Sequence, residues 1–508
     1  SNYEYLINEG INNNNQFLIK ILISLLFQTR DIFYGKGEYN LFYNILPIWN
    51  KYWHKINNNY LKKPLLLLFD TKSINNNYIY HFSHPYGSWK DIKYIFNSFK
   101  LNLNLNKEGI IRECKKEGIL SYIISIIKKE WSIDNSMMFK WLPREKSKKF
   151  GWQVGIIANN LYPNLSLREA KSLYRKRCSK ENISLQTIQI NQCNHTWSYI
   201  NFNQKCTSLT TSRQFKAFMN KGSNSSYNNN IDRLTCKLKF QNYLGNHLYN
   251  SSVKNLSLGE IVKKMIHFIN LNDQELIKYY NLIWDKKLSE DKMIFYNVIP
   301  VLDLSLSMIS ENTCYYDALG IAIWIACKSE NKRILTFNNE TKWLNLENLD
   351  NLSSILEKIK ENKISHGSNI YKSLKLIIDV CIINNISNEE IENKKLIILS
   401  DMQINKAETD ENNFIMQENI DYMFGVGGLN SQNQIPFKAP TIIFWNMKVT
   451  NGFPSLSNIK NVFMISGINY RLIFNIIKNG QSNIKNLNSR DSIIKYFICN
   501  KRYNWFWK

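Results

Sequence analysis

Near residue 291 the pattern of apolar residues changes period, and that break constrains the fold more than any other feature of the chain. Before it, apolar residues recur at i, i+3, i+4 and i+7, as in NQFLIKILISLLF (15–27) and IVKKMIHFINLNDQELIKYYNLIW (261–284), which is the spacing of amphipathic helices. After it, short apolar strands alternate with helices: FYNVIPVLDL, a helix around DALGIAIWIAC, KRILTF, a helix in IYKSLKLIIDVCI, KKLIILS, PTIIFWNM and NVFMIS. Strands separated by helices at this spacing predict a mostly parallel sheet covered on both faces. At 508 residues the chain is too long for one core. The expected architecture is therefore α + α/β: an all-helical, HEAT-like array of stacked helix pairs over 1–290, and a Rossmann-like doubly wound sheet over 291–508. The polar, Gly-containing segment between Asp401 and Pro440 (FGVGGLNSQNQ within it) is expected to be an inserted surface loop.

Three loops of the second region carry oxygen donors at strand ends. Asp303, Ser305 and Ser307 form D-x-S-x-S directly after NVIPVL, Ser368 opens a helix after a Gly in HGSNIYKSL, and Asp401 ends the buried strand LIILSD. Ligands of open α/β sheets bind at the carboxyl ends of strands. Hydroxyls and carboxylates suit a small hard divalent cation such as Mg²⁺, which takes oxygen ligands and keeps several waters. The competing reading is that these residues only cap helices.

Charge separates the two regions further. The net +24 is carried mostly by residues 1–300, with 42 basic and 21 acidic side chains, against 23 and 20 in 301–508. Between Lys140 and Lys239 stand 18 basic and 4 acidic residues, a field that attracts polyanions. Lys140, Arg144, Lys148, Lys149, Arg168, Lys171, Arg175, Lys176, Arg177 and Lys180 are the candidate RNA contacts, with Arg168, Lys171 and Arg175 on one face of LREAKSLYRKRCSK. Trp141, Phe150, Trp152, Tyr174, Trp197, Tyr199 and Phe202 are interleaved, as a site that stacks unpaired bases requires. A solvated basic face and core aromatics are the plainer alternatives.

Other features exclude function classes. GKG (35–37) lacks the remainder of a phosphate loop and reads as a turn between helices, held by an ion-pair network of Arg30, Asp31 and Glu38. His81, His84 and the Cys193-x-His195 pair have no further ligands at zinc spacing. H-E-x-x-H, G-x-S-x-G and the kinase motifs are missing from the sequence, so no catalysis is expected. Nine cysteines without CxxC spacing predict reduced, buried thiols in a cytoplasmic setting. The runs ILISLLF and PLLLLF are too short to span a bilayer, and neither a membrane segment nor a signal peptide is expected.

The D-x-S-x-S set, with Ser368 and Asp401, resembles the metal-ion-dependent adhesion site of von Willebrand factor A (vWA) domains. RDIFYGKGE (30–38), YGSWKDI (86–92), KWLPRE (140–145), YRKRC (174–178), VLDLSLSM (301–308), LSDMQI (399–404) and IIFWNMK (442–448) resemble a helical-plus-vWA family of eukaryotes and large viruses, similar in layout to the TROVE/Ro ribonucleoprotein autoantigens. Leu306 stands where the adhesion-site pattern usually has Gly, and Ser368 where it has Thr. The resemblance implies a non-catalytic RNA-binding protein whose vWA metal captures an acidic group of a protein partner. The alternative is an architectural subunit of a virion or ribonucleoprotein particle that lies against nucleic acid nonspecifically.

Overall fold

The computed structural model describes residues 2–32, 35–57, 59–69, 85–206, 208–222, 229–247, 256–290, 293–310, 314–337, 341–361, 370–402, 416–448, 461–471, 473 and 502–503. The chain divides into two compact units. One comprises Ser1–Cys206, Gln214–Gln241 and Arg490–Lys508, the other Thr207–Arg213 and Asn242–Ser489. This differs from the break expected at 290: the helices Leu258–Asn270 and Gln274–Glu290 belong with the sheet, and Arg502 and Tyr503 belong with the N-terminal helices.

The first unit is helical among its described residues, as the i, i+3, i+4 spacing requires. In Ile119–Trp131 the residues Ile119, Leu120, Ile123, Ile124, Ile126 and Ile127 are buried, and Lys128 and Lys129 occupy the last turn, where cations complement the helix dipole. Leu22, Leu26, Phe27, Trp49, Trp53, Phe96 and Ile157 join them in one apolar core.

The turn carrying GKG connects Gln16–Arg30 to Tyr39–Asn50, as expected. A Cβ on Gly35 would stand 2.1 Å from the Gln28 carbonyl oxygen, so only glycine fits there. The ion-pair network is not local, however. Arg30 makes a two-pronged bond to Asp91, with Nε and Nη2 each 2.8 Å from a carboxylate oxygen, and Ser88 N donates to the same carboxylate at 2.6 Å. Asp31 instead takes bonds from Arg502, with Nη2 at 2.9 Å, and from the Tyr503 hydroxyl at 2.8 Å. Tyr503 stacks on Tyr86, whose hydroxyl donates to the Arg502 carbonyl at 2.6 Å. Glu38 is left as the residue that precedes Tyr39–Asn50.

The second unit is built on six strands among the described residues: β1 (Val298–Asp303), β2 (Arg333–Phe337), β3 (Lys342–Asn345), β4 (Lys395–Ser400), β5 (Thr441–Asn446) and β6 (Val462–Ser466). Their order is β3-β2-β1-β4-β5-β6, all parallel except β3, which pairs antiparallel with β2. The result is a Rossmann-like sheet with its switch point between β1 and β4, where chain connections leave in opposite directions. Helices cover both faces, which explains why the strands are apolar almost throughout. Ile370–Ile383 and Met416–Leu429 bury Leu374, Ile378, Ile420 and Phe424 against Val301, Ile398, Ile442 and Phe444. Cys314–Lys328 packs on β1 and is covered in turn by Leu258–Asn270. Met416–Leu429 corrects one expectation: FGVGG is the end of a packed helix and not part of a loop.

Candidate metal centre and basic surface

At the carboxyl end of β1 the chain turns directly into D-x-S-x-S. Asp303, the last residue of β1, is 2% exposed, and one carboxylate oxygen accepts from Ser305 N at 2.9 Å. The hydroxyls of Ser305 and Ser307 lie 2.9 Å apart. The register pairs Leu302 with Leu399, so Asp303 and Ser400 come next across the switch point. There the Ser400 hydroxyl donates 2.7 Å to the other Asp303 oxygen and also accepts from Met402 N at 3.1 Å. Asp401 follows, wholly buried. The next residue, Met402, has a φ of 59°, a left-handed backbone that a methionine rarely adopts.

Four of the five expected metal residues thus gather at this edge: Asp303, Ser305 and Ser307 on one loop and Asp401 on the other. Ser368 lies outside the described residues. Ser400, which positions the Asp303 carboxylate, was not singled out from the sequence. Its signal was its place beside Asp401 at the strand's carboxyl end.

The electrostatics are unusual. Burial pushes the Asp303 carboxyl up to about 6, and the negative charge of Asp401 adds to that; hydrogen bonds from Ser400 and Ser305 pull the other way. Two buried carboxylates beside a pair of hydroxyls form a donor set that a hard divalent cation satisfies, since it offsets the charge and uses only oxygen ligands. Among the described residues no cluster of three or more His, Cys, Asp or Glu side chains offers an alternative centre.

The expected RNA contacts fall into two groups within the helical unit. The helix Leu167–Ser184 opens on a reciprocal cap in which Ser166 Oγ receives Glu169 N at 3.3 Å and Glu169 receives Ser166 N at 3.1 Å. Arg168, Arg175, Lys176 and Lys180 are exposed along it. Part of its charge is already met by acids: Lys171 and Arg175 both reach Glu145, at 3.1 and 2.5 Å, and Arg177 bonds Asp134 and, at 3.2 Å, Glu181.

The second group differs. Arg144, Lys148 and Lys149 are exposed on the segment after Met138–Trp141, which also carries Lys140, and beside it the helix Asp91–Asn102 contributes Lys93, with Lys90 just before it. Lys93 sits over both Trp141 and Phe150, at 5.7 and 5.6 Å from the ring centres, Lys149 over Tyr94 and Phe150, and Lys140 over Trp141. Burial, with the like charges of Lys90 and Arg144, holds the Lys93 ammonium below its usual range. Among the described residues no carboxylate pairs with Lys90, Lys93, Arg144 or Lys149. Lys90 and Lys93 were not identified from the sequence, because they lie well upstream of the basic stretch that begins at Lys140.

The aromatic set divides as well. Tyr174 and Phe202 are buried, Tyr174 stacked on Trp131 with its hydroxyl bonded to the Pro143 carbonyl, so both are core and unavailable for stacking on bases. Trp141, Phe150, Trp152 and Trp197 are half-buried, and Tyr199 is exposed. Of the described cysteines, all unbridged, Cys193 is exposed, against the expectation of buried thiols. Among the described residues no helix is long and apolar enough to cross a membrane.

Residues 297–495 match the model of a family described as a domain of unknown function, DUF7788, a span that begins one residue before β1. No curated protein matches the chain. Among solved structures, the crystal structure of the Deinococcus radiodurans Ro (RSR) protein is similar over 98% of this chain and 90% of that one, at 8% identity and a TM-score of 0.35.

Proposed function

We propose that this protein is a non-catalytic RNA-binding protein whose helical unit carries RNA and whose sheet unit is a vWA-type domain with a metal site for an acidic group of a partner. The observation that carries the RNA reading is the strip of Lys90, Lys93 and Lys149 laid over Tyr94, Trp141 and Phe150, with the like charge of Arg144 beside Lys93. A merely solvated basic face would spread its cations apart or pair them with acids. Here they crowd one another over half-buried rings, an arrangement that a phosphate backbone relieves and that unpaired bases can extend by stacking. Arg168, Lys176 and Lys180 on the helix Leu167–Ser184 add further exposed cations to this unit.

At the sheet edge Asp303, Ser305, Ser307 and Asp401, with Ser368, would hold Mg²⁺. The bound ion would supply an open coordination position for a carboxylate oxygen. Ser305 and Ser307 would bind it directly, while Ser400 keeps the Asp303 carboxylate oriented. With so few carboxylates around it, the ion has little to deprotonate a water with, which favours adhesion over hydrolysis.

Measuring RNA affinity against salt for the full chain tests the first half. Lys93→Glu with Lys149→Glu should weaken binding and reduce the slope of log K against log salt by about 1 to 2, as expected for two lost phosphate contacts. Affinity and slope unchanged by the pair would remove the RNA reading. An architectural subunit would instead bind heparin as tightly as RNA at physiological salt.

A further inference from the structure

The helical unit holds a groove that the reading above leaves unused. It lies between the turn at Trp197 and the start of the helix Ile231–His247 and has a volume of about 700 Å³, within the size range of small-ligand sites. Four carboxamides, an imidazole, two cations, one carboxylate and one indole line it, with no aliphatic side chain among the described residues.

Its centre is a fixed flat stack. The Arg233 guanidinium lies over the Trp197 ring at 3.6 Å from the ring centre. Arg233 is held there by Nη2 donating to the Ala217 carbonyl at 2.6 Å and Nε to the Asn220 side-chain oxygen at 3.2 Å. The one acid in the wall, Asp232, is committed to the fold: its two oxygens take Trp197 N at 2.7 Å and Ser198 N at 2.8 Å, which pins the indole turn. With two cations, Arg233 and Lys221, against this one carboxylate, the groove carries a net positive charge.

These walls discriminate between ligand classes. An apolar peptide side chain finds no apolar surface beyond one ring. A bare anion would use the cations and the carboxamide N–H groups but leave the indole face unused. A nucleotide uses all three, through ring stacking, hydrogen bonds along the base edge and a charged phosphate. The geometry points to a site for one unpaired nucleotide of single-stranded RNA, its base against the Trp197–Arg233 stack, its edge met by the carboxamides and its phosphate facing Lys221. This inference rests on the RNA-binding reading and adds to it a preference for unpaired strand, which a basic strip alone does not give.

The test compares a fluorescein-labelled single-stranded oligoribonucleotide with the matching duplex, by anisotropy, on the full chain. Trp197→Leu should weaken single-strand binding about tenfold and leave duplex binding unchanged, whereas Lys93→Glu with Lys149→Glu should weaken both. Single-strand affinity untouched by Trp197→Leu, while the strip variant still loses both ligands, overturns the groove and spares the RNA reading. A wild-type protein that binds neither RNA overturns both. Because Trp197→Leu could disturb the local fold, a competition on the unaltered protein accompanies it: adenosine monophosphate or uridine monophosphate should displace the single strand and ribose 5-phosphate should not. Equal displacement by ribose 5-phosphate would mark a simple anion site and refute the proposal.

Discussion

Metal binding at the sheet edge should depend on pH in a window that ordinary carboxylates do not reach. The perturbation is acidification from pH 7 to pH 5. The proposed ion would need the Asp303 carboxylate ionised, and burial raises that group to about 6, so below this value a proton would compete for the site. The sign follows: affinity is full above pH 7 and falls as pH drops through 6. With a pKa of about 6 the ionised fraction changes from roughly nine-tenths at pH 7 to one-tenth at pH 5, so the apparent Kd should rise about tenfold, equivalent to about 1.4 kcal/mol. An exposed aspartate of ordinary pKa, about 3.9, would change Kd by less than about a tenth over the same interval. Isothermal titration with Mg²⁺ and Mn²⁺, in buffers of different ionisation enthalpy, reads both affinity and protons released; at pH 6 the count should be about one half per ion. Flat affinity between pH 5 and 7, or an Asp303→Asn protein that binds as the wild type does, would refute the reasoning.

Two further outcomes concern stability. Arg30→Met strands the Asp91 carboxylate, 1% exposed, and should cost about 3 to 5 kcal/mol in denaturant unfolding; Arg30→Met with Asp91→Leu should cost clearly less than the two single changes summed, and additive costs would count against a coupled pair. Gly35→Ala places a methyl 2.1 Å from the Gln28 carbonyl and should lower the melting temperature of the helical unit, by about 1 to 3 kcal/mol of strain; an unchanged melting curve would show that the turn relaxes.

The sheet was legible because a parallel strand buried on both faces reads as an unbroken run of Val, Ile and Leu, and such runs have few other uses. The position of the candidate metal residues was legible for a related reason: polar residues ending those runs sit at the sheet's carboxyl edge whatever the details. β3 escaped notice because KWLN is a four-residue antiparallel edge strand with one fully buried side chain. Met416–Leu429 was read as a loop because its glycines suggested flexibility. They serve close packing instead, a Cβ on Gly427 meeting Ile378 at 2.3 Å. The partners of charged residues were the least visible. Whether Arg175 is available to RNA depends on Glu145, 30 positions away, and no local pattern encodes such a pairing. The same holds for Lys93, whose neighbours Trp141 and Phe150 are brought to it only by packing of distant helices.

The bonds from Arg502 and Tyr503 to Asp31 join positions more than 470 residues apart. A ribosome therefore emits the first helices long before the side chains that neutralise Asp31 exist, and the whole sheet region is synthesised in between. Until those residues emerge, the buried Asp31 carboxylate lacks the bonds that Arg502 and Tyr503 give it, and the packing around it stays incomplete. Translation that stops short of position 502 should thus yield chains that quality-control proteases recognise through their first helices, far from the truncation itself.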